Sequence, residues 1–158
     1  MSGTGIRVFQ SDSGSLSAKV ANNTVSNVGL DYGIDATDNG TLNVATTGKL
    51  NIGVVNNNVS VLSTAINAIH VRGRRDTTTC ASITGNTATT NGGGNALHVS
   101  QANTATYNLE VPSPLGSMTA AQAQTAETSL NPSAVGVEAF SATGFTGVAV
   151  GSCTGIPS

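Results

Sequence analysis

Ala68-Ile69-His70-Val71, followed shortly by Thr79-Cys80-Ala81-Ser82-Ile83 and Thr84-Gly85-Asn86-Thr87-Ala88, is one copy of a unit that this chain repeats. Gly5-Ile6-Arg7-Val8, Gly33-Ile34-Asp35-Ala36 and Ala96-Leu97-His98-Val99 restate its first part, so residues 6, 34, 69 and 97 recur at intervals of 28, 35 and 28. Self-similarity at a period of about 20–50 residues marks a solenoid, in which each turn buries its apolar face on the next. The second part returns as Leu16-Ser17-Ala18-Lys19-Val20 with Ala21-Asn22-Asn23-Thr24-Val25, and as Leu50-Asn51-Ile52-Gly53-Val54 with Val55-Asn56-Asn57-Asn58-Val59. Tyr107-Asn108-Leu109-Glu110-Val111 follows the fourth copy. Alternate positions in these blocks are apolar, the period of a strand with one buried face. The two parts lie 12 residues apart in three copies but 18 apart in the second, which predicts an insertion in the loop from Thr37 to Lys49. Loops of a solenoid accept insertions because the stacked strands keep their register.

The composition agrees with a thin core. Only 3% of the 158 residues are aromatic and 9% charged, so stacked Val, Ile, Leu and Ala must form the interior while Thr, Asn and Ser cover the surface. A net charge of −2 supplies no basic field for nucleic acid or an anionic membrane. No apolar run approaches the roughly 20 residues of a membrane span, so no membrane insertion is expected. Met1-Ser2-Gly3 leads at once into the first repeat, and the start is read as a boundary inside a longer chain. Cys80 and Cys153 fit either one disulfide in an oxidising compartment or two free thiols.

Asn23, Asn57 and Asn86 fall in one column, at a bend between strand-like segments. A sharp bend favours a residue tolerant of left-handed backbone angles, and Asn is the best after Gly. Stacked asparagines also hydrogen-bond to one another along an axis. A structural asparagine ladder is therefore predicted.

The pattern V-x-N-N-x-V … G-I-x-V over residues 5–111 resembles the right-handed parallel β-helix of bacterial secreted and surface proteins, polysaccharide lyases and phage tailspikes. The second half is more narrowly similar to the last coils of large β-helical bacterial exoproteins. The residues that carry this are Cys80, Ile83, Gly85, Asn86, Leu97, Val99, Gln101, Tyr107, Leu109, Val137, Phe140 and Cys153. The fold expected is all-β: a right-handed parallel β-helix of about four coils over residues 1–111, with a C-terminal cap over 112–158 in the same domain. Pro112 and Pro114 lack the amide proton of a continuing sheet, and the Ala- and Gln-rich run from Ser117 to Pro132 reads as a helix or helical turn with Ser117 as N-cap. In the third copy Ala81 and Ile83 point inward and Cys80 outward, which favours a Cys80–Cys153 bond to a tail lying on the coil wall. Closing a loop of roughly 70 residues this way is worth about 4 kcal/mol on chain-entropy estimates. The first coil has no evident cap, so its open edge predicts either self-association through the N-terminal end or an upstream continuation.

Chemistry is sparser. Arg7, Asp35, His70 and His98 form an outward column with neighbours about 4.8 Å apart. Asp35, His70 and His98 could hold zinc or copper. The plainer reading is a mixed polar ladder on a solvated face, since no fourth ligand is evident. Arg72, Arg74 and Arg75 crowd a loop closed by Asp76 and are half of the basic residues; guanidinium forks suit the carboxylate or sulfate of an acidic glycan. Asp12, Asp38 and Asp76 follow the first strand in successive coils, where calcium would use them with carbonyl oxygens, although their loops differ in length. No clustered carboxylates and no convincing Ser partner for a nucleophilic triad are visible, so no catalysis and no cofactor are expected. The chain is thus read as a structural or adhesive module of an exported bacterial surface protein, secreted or at the cell surface, holding Arg72–Asp76 towards an acidic glycan. The alternative is a non-catalytic part of a polysaccharide-processing β-helix or a tailspike-like trimer.

Overall fold

Blocks with period-2 alternation can bury one side of a strand, and the blocks of this chain do so as stacked parallel strands. The computed structural model describes residues 3–11, 13–39, 48–62, 64–113 and 115–158. The first turn holds β1 (Ile6–Gln10), β2 (Ser15–Ala21) and β3 (Thr24–Val28); the second holds β4 (Tyr32–Asn39), β5 (Lys49–Val55) and β6 (Asn58–Val61). The third holds β7 (Asn67–Arg74), β8 (Thr78–Thr84) and β9 (Thr87–Thr90), and β10 (Asn95–Ala102) and β11 (Thr106–Glu110) begin a fourth. Strands β1-β4-β7-β10 stack as a first sheet, β2-β5-β8-β11 as a second and β3-β6-β9 as a third. The protein is a parallel β-solenoid of about three regular turns.

Register sets like on like. Ile34, Ile69 and Leu97 share one inward column of the first sheet and Ala36, Val71 and Val99 the next, all fully buried. In the second sheet Leu50, Thr79 and Tyr107 share a column. A Cβ on Gly73 would come within 2.8 Å of Thr79 Oγ1 and 3.3 Å of the Tyr107 ring, so glycine there makes room for that ring. Strand β4 stays in register with β7 as far as Asn39. Residues 40–47 of the insertion expected between Thr37 and Lys49 lie outside the described residues, as do Met1, Ser2, Asp12, Ser63 and Pro114.

The repeat does not end at Val111. After β11 the chain makes β12 (Gly116–Met118), α1 (Ala120–Leu130), β13 (Ser133–Ala134), β14 (Val137–Ser141) and β15 (Phe145–Val148). Strands β13, β14 and β15 rejoin the third, first and second sheets in parallel, on β9, β10 and β11. Among the described strands only β12 runs antiparallel, along β15. Gly136-Val137-Glu138-Ala139 is in effect a fifth copy of the opening pattern, displaced because a helix is spliced into the fourth turn. Ser117 sits in β12; the N-cap is Thr119, in a capping box with Gln122. Thr119 Oγ1 accepts from Gln122 N at 3.3 Å and Gln122 Oε1 accepts from Thr119 N at 2.9 Å.

The asparagine ladder forms and is longer than expected. Asn23 Nδ2 donates to Asn57 Oδ1 at 3.0 Å, Asn57 Nδ2 to Asn86 Oδ1 at 3.0 Å, and Asn86 Nδ2 to Asn131 Oδ1 at 2.9 Å. Each also reaches a main-chain carbonyl: Asn57 that of Val20, Asn86 that of Val54, Asn131 that of Ile83. The left-handed residues are the preceding ones, Asn22, Asn56 and Gly85, with φ of 57°, 54° and 69°. The bend and the ladder thus fall to successive residues.

Cys80 and Cys153 are disulfide-bonded, with Cα atoms 5.4 Å apart. Cys153 N donates to Glu110 Oε1 at 2.7 Å, and Ile156 lies over Gly53, so the tail is strapped along the outer face of the second sheet. At the other end β1, β2 and β3 each terminate their sheet, and Ile6, Val8, Leu16 and Val25 are only partly buried. Among the described residues no helix is long and apolar enough to cross a membrane.

Candidate functional site

Alternation on the first sheet sends every second residue outward, and the parallel register stacks these into columns. One column runs Arg7, Asp35, His70, His98 and Glu138; the next runs Phe9, Thr37, Arg72, Ser100 and Phe140. A solvated ladder was the simple expectation for the first. Its middle is instead buried, with Asp35 3% and His70 4% exposed. The Tyr32 ring is stacked on the His70 imidazole, centroids 4.8 Å apart at 13°, and His98 leans against its other side at 5.3 Å.

Burial of polar groups demands partners, and these are specific. Asp35 Oδ1 accepts from Thr37 Oγ1 at 2.8 Å and faces His70 Nδ1 at 3.0 Å, while Arg7 Nε stands 3.4 Å from Asp35 Oδ2. A carboxylate at Nδ1 places the imidazole proton there and leaves Nε2 as an acceptor. That nitrogen faces Ser100 Oγ at 3.2 Å. His98 is held otherwise, with Asn67 Nδ2 3.3 Å from Nδ1 and Glu138 Oε2 3.7 Å from Nε2. Burial, then the neighbouring His70, holds the His98 pKa below its ordinary value.

The same side chains line a cavity of about 220 Å³, walled by Tyr32, His70, Arg72, His98, Ser100 and Phe140. Arg72 and Arg74 are not in a loop: both lie on β7 with the outward alternation, and Arg75 is the turn residue after it, with φ of 61°. Burial, then the charge of Arg74, lowers the Arg72 pKa. Among the described residues no carboxylate lies in salt-bridge contact with Arg72 or Arg74. Asp76 does not neutralise them; it is hydrogen-bonded by Thr104 Oγ1. A larger cavity of about 560 Å³ lies beside α1, lined by residues such as Pro112, Ala121 and Ala126, with no titratable group among its described lining residues.

The metal readings find no constellation. Both His70 ring nitrogens are engaged by protein atoms, and among the described residues no three His, Cys, Asp or Glu side chains are arranged around one point. Asp38 does not line an edge with Asp76; it is fully buried on β4, neither oxygen hydrogen-bonded. The Thr77 hydroxyl beside it is committed to the Arg74 carbonyl at 2.8 Å, and burial raises the Asp38 pKa to about 6.

Sequence reasoning missed Ser100, Tyr32, Phe140 and Glu138. Ser100 was visible as the next outward residue after His98, but a contact between two columns needs the stacked sheet to be seen. No protein family, no curated protein and no solved structure matches this chain. The likeness to bacterial β-helical exoproteins therefore reaches as far as the β-solenoid fold.

Proposed function

We propose that this chain is a structural and adhesive module of an exported surface protein, and that the outer face of its first sheet binds an acidic saccharide. The observation that supports this reading is the pair of guanidinium groups, Arg72 and Arg74, side by side on β7 with no carboxylate of the described residues in contact. Arg72, lowered by burial and by the charge of Arg74, is relieved by an anion, and a guanidinium fork matches a uronate carboxylate or a sulfate. Tyr32 and Phe140 flank the same cavity, and Phe140 is more than half exposed, giving flat apolar surfaces on which a sugar ring can lie. The disulfide favours an oxidising compartment.

Calorimetric titration with oligogalacturonate, beside a neutral galactose oligomer, tests the reading. Binding of the acidic oligomer alone is expected, weakened at least about tenfold in Arg72→Ser/Arg74→Ser and strongly dependent on salt. Equal affinity of wild type and variant, or no binding by the folded wild type, refutes it.

A further inference from the structure

We propose that Ser100, His70 and Asp35 form an acyl-transfer site that hydrolyses short-chain carboxylic esters, with Ser100 as nucleophile, His70 as general base and Asp35 as the residue that positions the base. The geometry is directional. Asp35 Oδ1 lies 3.0 Å from His70 Nδ1, and His70 Nε2 lies 3.2 Å from Ser100 Oγ, the order in which a carboxylate orients an imidazole and the imidazole takes a hydroxyl proton. In a plain polar ladder each side chain meets its register partner one rung away. His70 meets its register partners Asp35, through a hydrogen bond, and His98, through a ring contact, but its Nε2 reaches out of the column to Ser100 in the neighbouring one. All three are buried, but position divides as the roles require: His70 and Ser100 line the cavity, whereas Asp35 is not part of its wall and is held by Arg7 and Thr37.

The cavity supplies the remaining parts. Arg72 is the register partner of Ser100 on the adjacent strand and lines the same wall, so its guanidinium is the donor for the oxyanion. A volume of about 220 Å³ admits a short acyl chain, and the alcohol lies outward over Phe140. Ser100 Oγ attacks the ester carbonyl carbon as its proton passes to His70 Nε2. The tetrahedral oxyanion collapses, the carbon–oxygen bond to the alcohol breaks, and the alcohol leaves with the proton from His70. Water then adds to the acyl-serine, gives its proton to His70, and releases the carboxylic acid as that proton returns to Ser100. Water is the only co-reactant. The ester and an acidic saccharide would share this cavity and Arg72 and so compete for it, but acyl transfer itself requires no saccharide.

Reaction of the folded, oxidised protein with a fluorophosphonate, followed by intact mass and peptide mapping, tests it. One label on Ser100 is expected, with none in Ser100→Ala and a rate lowered at least about 100-fold in His70→Gln. Asp35→Glu, which keeps a carboxylate, is expected to label faster than Asp35→Asn, a ranking that a purely structural role would not produce. Turnover of p-nitrophenyl acetate is expected to vanish in Ser100→Ala, with far-ultraviolet circular dichroism matching the wild type. No label on a wild type with intact far-ultraviolet circular dichroism, or equal labelling of Ser100→Ala, overturns the proposal.

Discussion

Asn57 shows how much one side chain can hold in a solenoid. It accepts from both Asn23 N and Asn23 Nδ2, and it donates to Asn86 Oδ1 and to the Val20 carbonyl, while itself 1% exposed. Asn57→Ala strands these groups away from water, and each unpaired buried polar group costs about 1–3 kcal/mol. A loss of roughly 2–4 kcal/mol is expected in urea unfolding, against about 1 kcal/mol for Asn23→Ala at the half-exposed end of the ladder. The column was legible because identical residues recur at one place in three units. The division of labour was not, since two of the three units write Asn-Asn. Only the backbone shows that Asn22 and Asn56 turn the chain while Asn23 and Asn57 form the ladder.

At the scale of elements the helix is the telling case. Ala123, Ala126 and Glu127 of α1 are buried, and Glu127 Oε2 accepts from Asn131 Nδ2 at 3.0 Å, closing the ladder with a carboxyl group. Burial raises the Glu127 pKa well above its ordinary 4.5. The folded protein therefore retains a proton that the unfolded chain loses above about pH 4.5, and this site erodes stability as pH rises by up to about 1.4 kcal/mol per unit until Glu127 ionises. Glu127→Gln keeps an acceptor for Asn131 and carries no proton to lose. Its melting temperature is expected to match the wild type near pH 4 and to exceed it by a widening margin above pH 5. The helix itself was readable from composition, and Thr119-x-x-Gln122 marks its start better than Ser117. The fifth copy was hidden because Val137 follows Leu97 by 40 residues rather than by an interval the other copies share.

Over the whole molecule the C-terminal tail and the sheets stabilise one another. The Cys80–Cys153 bond closes 73 residues of chain, and the residues beyond it run back along the second sheet towards Gly53 and Ser17. Cys80→Ser/Cys153→Ser is expected to lose about 4 kcal/mol and to free the tail for proteolysis before the coils unfold, as limited digestion would show. A melting temperature indifferent to the bond would mean that packing against Gly53 and Glu110 holds the tail without it.

The sequence by itself determined the solenoid, its strand phase and its asparagine column, because these follow from periodicity and each repeat confirms the others. It also narrowed the disulfide to a single pair, there being only two cysteines. Tertiary structure alone decided that the chain returns to all three sheets after α1, that Asn131 and Glu127 finish the ladder, and that His70 meets Ser100. The contacts of His70 with Ser100 and of Asn131 with Asn86 join positions 30 and 45 residues apart, separations that carry no recurring signal. A repeat announces what is stacked on what. Which neighbour a buried polar side chain then chooses is settled by hydrogen-bond geometry across the stack.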